Sequence, residues 1–220
     1  MPLFAALSRP FKARALPGLL LIIFPVIEFF AMGYKLLCAS TAMRNIYDLP
    51  LWKDWKRLFL FGLGARIIQA LWLTPAAAVF FMIYLKLRAT QDLQTVFAVG
   101  NLLIWFFALL VVAAIFAPAS ILNYVAESRF KAAFSFSMLK RMASGAYAIG
   151  WLVTGIYTIF ILIIFFSTLL LIATLTTLPT WLIGTLVLLI EVVFFWFPGI
   201  TIWTLLGEAW GKAMQREYTA

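Results

Sequence analysis

The sequence contains no histidine at all. That removes the commonest metal ligand and the commonest general base. Haem held by histidine, zinc sites that need it, chlorophyll on a protein imidazole, and Ser-His or Cys-His nucleophile pairs are excluded. Cysteine occurs once, at Cys38, so there is no internal disulfide, CxxC pair or thiolate-held cluster. Acidic residues number only 8, dispersed along 220 positions, and charged residues make up 11%. A soluble domain carries about a quarter charged residues. No cofactor is expected on these grounds, and no enzyme activity.

Apolar residues are abundant, at 65% of the chain, with a mean hydropathy of +1.06. They come in runs long enough to cross a bilayer, which needs about 20 residues each. The expected fold is an all-α membrane protein. It is a single multi-span domain of about five transmembrane helices plus short interfacial amphipathic helices. The spans are expected near 18–39, 59–85, 96–125, 148–175 and 181–206. Residues 1–17 carry Arg9, Lys12 and Arg14 beside Phe4, Leu7 and Phe11, and read as an interfacial segment. The apolar run from Leu19 could be a signal peptide, but is expected to be an uncleaved first span. With Pro25 inside it, it could also be a re-entrant hairpin.

Lys and Arg exceed Asp and Glu by 9. In a membrane protein such an excess sets topology and meets anionic headgroups, so nucleic acid is not an expected partner. Counted by alternate loops, eleven cations fall with the stretch from Lys35 to Arg57, the 126–146 loop and the C-terminal tail, and five fall on the other side. The positive-inside rule then places those three segments in the cytoplasm. The basic N-terminus is discordant. In the 126–146 loop, Arg129, Lys131, Lys140 and Arg141 form a basic surface expected to meet lipid. Arg141 projects onto the Phe130/Phe134/Met138 face and spoils its amphipathicity.

A helix is expected from Pro50, with Trp52, Trp55 and Phe59 toward lipid and Lys53, Lys56 and Arg57 toward water. Charges inside spans cost roughly 2.5–3.5 kcal/mol at helix centre. Glu28, Arg66 and Glu191 are therefore candidate site residues. Glu28 and Arg66 fall at similar depth, roughly 10–12 Å from the same membrane edge, and are expected to pair. Glu191 has no evident partner; it is either protonated or hydrogen-bonded to a neighbouring helix.

The pattern Gly33-Tyr34, Arg44-Asn45, Leu49-Pro50-Leu51-Trp52-Lys53-Asp54-Trp55 and Leu58–Gly62 resembles the prokaryotic membrane family filed as domain of unknown function number 4013. Pro118-Ala119, Asn123-Tyr124, Ala132-Ala133-Phe134, Tyr147 and the closing Gly207-Glu208-Ala209-Trp210 extend the resemblance over nearly the whole chain. It implies a multi-span helical membrane protein of bacteria or archaea, hence a prokaryotic inner membrane, and no assigned activity. Family members often place an acidic residue beside Trp52, where this chain has Leu51 and Lys53. Physically, Trp52 and Trp55 would anchor a helix at headgroup depth, Asp54 would pair with a lysine, and Gly62 would admit a close neighbour. The block then either docks a partner or fixes the turn between spans. The leading functional expectation is a non-catalytic accessory or scaffold subunit bound to other membrane-protein subunits. The alternative is a small oligomeric permease or channel built on the intramembrane charges.

Overall fold

A computed structural model describes residues 2–12, 15, 17, 28–89, 93–174 and 179–219. They form seven α-helices: α1 (Pro2–Ser8), α2 (Glu28–Met43), α3 (Trp55–Ala89), α4 (Leu93–Glu127), α5 (Phe136–Met142), α6 (Gly145–Ala173) and α7 (Thr180–Thr219). Two 3-10 turns, Arg9–Phe11 and Phe130–Phe134, complete the set, and no strand occurs among the described residues. The all-α membrane fold expected from hydropathy is the one observed.

Four helices, α3, α4, α6 and α7, are long and apolar enough to cross a membrane. At 1.5 Å per residue, the 35 residues of α3 reach about 52 Å, well beyond a hydrocarbon core of about 30 Å. Their faces carry exposed Phe80, Phe81, Ile104, Trp105, Ile159 and Phe160, as lipid contact requires. Pro75, Pro118 and Pro198 lie inside α3, α4 and α7 without ending them. In a membrane the freed backbone groups find partners in neighbouring helices.

The helix boundaries follow from local chemistry. Asp54 caps α3, its Oδ1 accepting from the Arg57 N–H at 3.1 Å. Ser144 caps α6 by accepting from the Tyr147 N–H at 3.3 Å. α2 ends in a Schellman motif: the Asn45 N–H reaches the Ala42 carbonyl and the Ile46 N–H the Thr41 carbonyl. Asn45 takes the left-handed φ of 58° this requires.

The fifth expected span, near 18–39, falls only in part on the described residues. Residues 18–27, Pro25 included, lie outside the described residues. The described remainder is α2, only 16 residues or about 24 Å. Arg9, before the run, hydrogen-bonds to the Cys38 carbonyl and Thr41 near the end of α2. Arg9 and the end of α2 thus lie together at one end of the bundle. Arg9 and Lys12 of the basic N-terminus contact the 46–48 segment that follows α2.

α2 is the hub. Met32 and Leu36 pack with Phe61, Ala65 and Ile68 of α3 and Ile121 and Tyr124 of α4. Tyr34 and Cys38 pack with Leu58, Trp196 and Ile200. Ala39 packs with Leu122, Tyr147, Leu206 and Trp210. Small residues let α2 approach both neighbours. A Cβ on Gly33 would fall on the Leu58 carbonyl, and one on Gly62 on the Phe29 carbonyl. Gly207 and Gly211 meet Ala39 and Met43 in the same way, a small-xxx-small contact.

Candidate functional site

Glu28 opens α2 and Arg66 lies eleven residues into α3. The Gly33/Gly62 crossing holds the two helices together, and the Arg66 Nη2 forms an ion pair with the Glu28 Oε1. Arg66 Nη1 also donates to the Gln69 Oε1 at 2.9 Å. The pair expected from depth alone is present. In a double-mutant cycle of Glu28→Gln and Arg66→Gln, we expect a coupling of about 1–3 kcal/mol in thermal stability. Each single change leaves one charged group without its partner, so the double variant should be less damaged than the sum of the singles. Additive losses would contradict this.

Behind the pair, Arg66, Gln69 and Lys35 line a cavity of about 460 Å³ between α2, α3 and α4, with Trp203 of α7 on its border. Lys35 was counted for topology but not expected as a site residue. Its Nζ donates to the Phe195 carbonyl at 3.1 Å and lies 5.3 Å from the Trp196 ring centroid. That carbonyl adjoins Phe194, whose own carbonyl loses its helical donor to Pro198. Gly199 gives the ammonium room, since a Cβ there would stand 2.9 Å from it. A signal was available: Lys35 follows Glu28 by seven residues and so shares its helix face. The remaining wall, including Leu73, Leu110, Ala113 and Ala117, is apolar. The cavity can hold an anion, water or a polar headgroup. Among the described residues no group of three His, Cys, Asp or Glu side chains could hold a metal ion.

Glu191 is on α7, but its side chain is exposed on the outer face rather than buried between helices. Leu188, Leu189 and Phe195 are exposed around it. Of the two alternatives for Glu191, the hydrogen bond to a neighbouring helix is not found among the described residues. An outward-facing glutamate is indistinguishable in sequence from an inward one when both faces of the span are apolar.

The Leu49–Trp55 block does not form a surface helix. Residues 51–54 make a turn, and α3 begins only at Trp55. Pro50 therefore does not start the helix, and Asp54 is committed to capping instead of pairing with a lysine. Trp52 stacks on Tyr34 at 4.1 Å and 7°, and both contact Trp196. Tyr34 donates to the Pro50 carbonyl at 3.2 Å, and Leu49 is buried against the same cluster. Of the block's two tryptophans, Trp55 is the one left about half exposed. The block fixes the turn between α2 and α3, and Gly62 admits its neighbour as expected. Arg44 stands exposed at the end of α2.

The basic loop splits. Arg129, Lys131 and Lys140 are exposed, whereas Arg141 is buried. Its Nε meets the Glu217 carboxylate at 2.9 Å and its Nη1 the Glu127 carboxylate at 3.0 Å, with Asn123 Oδ1 as a further acceptor. The lipid-facing expectation fails for Arg141 because it lies on the apolar face of its short helix. A cation there must be paired when buried.

A second buried cation went unnoticed. Arg9 reaches Tyr47, Cys38 and Asp48 carbonyls and the Thr41 and Thr204 hydroxyls at 2.7–3.2 Å. Burial first, and then hydrogen bonding to Glu208, push the adjoining Tyr47 phenol up to about 12. Glu208 in turn takes Lys212 at 2.6 Å.

Residues 16–174 match a family model described as a protein of unknown function, DUF4013. No curated protein and no solved structure matches the chain. The match stops short of Gly207–Trp210, so the resemblance is narrower than the closing motif suggested.

Proposed function

This chain belongs to DUF4013, a family of proteins of unknown function, and from that premise we propose that it is a non-catalytic accessory or scaffold subunit of a larger membrane complex. The observation that carries this reading is Glu191. It lies within a membrane-crossing helix and faces outward among apolar side chains. A lone carboxylate against lipid is costly, and intramembrane charges ordinarily face protein or water. A donor on another subunit would relieve that cost. The absence of histidine supports a non-catalytic role, the family resemblance implies a prokaryotic inner membrane, and the basic loops gathered at one end support that end, C-terminus included, lying in the cytoplasm.

The test is a photo-crosslinking residue at Leu188, beside Glu191, in the full-length protein in its native membrane. One discrete adduct with a different membrane protein, lost on Glu191→Leu, is the expected outcome. Crosslinks to lipid alone would overturn the reading. The cavity lined by Lys35, Arg66 and Gln69 favours a second reading, a small oligomeric permease. A ladder of the chain's own multimers, together with solute flux in liposomes that Lys35→Met abolishes, would establish that reading instead.

A further inference from the structure

Where α2 ends and α3 begins, a separate cavity of about 300 Å³ opens at the end of the bundle. That volume is at the lower bound of small-ligand sites. Three cations line it: Arg44 from the end of α2, Lys53 from the turn, and Arg57 from the first turn of α3. Ser40 and Thr41 add hydroxyls, and Asp54 is the one acid on its wall. Asp54 is engaged with the Arg57 backbone N–H, so the lining keeps a net positive charge. Arg44 and Lys53 have no ion-pair or hydrogen-bond partner for their side chains among the described residues. Arg57 places its guanidinium 5.0 Å from the Phe61 ring centroid. A second, smaller cavity of about 200 Å³ shares Ser40 and Arg44 with the first.

Three like charges around one cavity repel one another unless an anion sits between them. Arginine's planar fork suits phosphate oxygens, and lysine supplies a point charge. The surroundings say what carries the phosphate. Ile46, Leu51 and Trp55 are each about half exposed at the same end of the bundle, and the first two line the cavity beside the cations. Apolar side chains exposed next to a cationic hollow at a span end match a headgroup with its acyl chains alongside.

We propose that this cavity binds a phosphate group, presented by the headgroup of a net-anionic phospholipid. The site differs from the exposed Arg129/Lys131 surface, whose cations line neither of these two cavities. It is independent of the subunit reading, since a lipid can seat here in an isolated chain.

The experiment titrates the full-length protein in mild detergent with phosphatidylglycerol, phosphatidylcholine or inorganic phosphate, and reads thermal stabilisation. Phosphatidylglycerol should protect and phosphatidylcholine should protect less. Arg44→Gln/Lys53→Gln should weaken the phosphatidylglycerol response roughly fivefold per cation, about 30-fold for the pair. Arg44→Lys/Lys53→Arg, which keeps both charges, should restore most of it. Both residues are exposed, so neither variant should alter stability without lipid. Arg129→Gln/Lys131→Gln should leave the response near the wild-type value. An equal loss in this control pair, or none in Arg44→Gln/Lys53→Gln, would overturn the site. Protection by inorganic phosphate alone, with no further gain from phosphatidylglycerol, would overturn the lipid as its source.

Discussion

Arg9→Met is expected to be the most destabilising single substitution of a charged residue in this protein. Arg9 is wholly buried in a short 3-10 turn. Its guanidinium spans three parts of the chain: Cys38 and Thr41 of α2, the Ile46–Asp48 backbone, and Thr204 of α7. These acceptors are neutral carbonyl and hydroxyl oxygens, so the gain is charge-assisted hydrogen bonding without a buried ion pair. The positive charge also sits near the carboxyl end of α2, where the helix dipole favours it. Methionine fills much of the volume and leaves the acceptors unpaired. Each buried acceptor left so costs about 1–3 kcal/mol, and rewetting near the surface recovers part. A net loss of about 3–5 kcal/mol, or roughly 10 °C or more in Tm, is expected. Arg9→Lys should recover less than half, because one ammonium cannot reach acceptors spread around a planar fork. A Tm for Arg9→Met within a degree or two of wild type would contradict this account.

The same arginine shows where a sequence is legible and where it is not. Hydropathy located α3, α4, α6 and α7 because a span needs only a run of apolar residues, which is a local property. The Glu28–Arg66 pair was legible for a related reason. Two helices joined by a modest loop are neighbours, and two opposite charges at one depth each need a partner. Arg9 has the same composition signal as any basic residue before a first span. What sets it apart is Thr204, 195 positions away. Trp52 fails similarly, since a tryptophan at a span end reads as an interface anchor until Trp196 is brought beside it. Arg141 was half legible: its place on an apolar face was a conflict in the pattern, and Glu127 and Glu217 resolve it. Gly207-x-x-x-Gly211 is legible as a small-residue spacing, but its partner is not: it seats α7 on Ala39 and Met43 of α2.

Replacing Gly33 or Gly62 should be nearly as damaging, and the pattern across glycines tests the reason. The two residues sit on opposite sides of one helix crossing, each against the other helix's backbone carbonyl. Backbone cannot rotate out of the way as a side chain can, so an added methyl must push α2 from α3. Strain of this kind costs about 1–3 kcal/mol, occasionally more. The crossing also sets the reach between Glu28 and Arg66, since Gly62 lies one turn from Arg66 and Phe29 follows Glu28. Separating the helices should therefore weaken the ion pair, and the Glu28/Arg66 coupling should shrink in a Gly62→Ala background. The Gly33→Ala/Gly62→Ala double variant should lose less than the sum of the singles, because one displacement relieves both clashes. Gly155 and Gly184 face open space within their helices. Alanine there should be neutral or stabilising by up to about 1 kcal/mol, the difference in helix propensity. Thermal unfolding of these variants in detergent reads the comparison directly. If Gly33→Ala is as harmless as Gly155→Ala, the close crossing is not what holds α2 at the centre of the bundle.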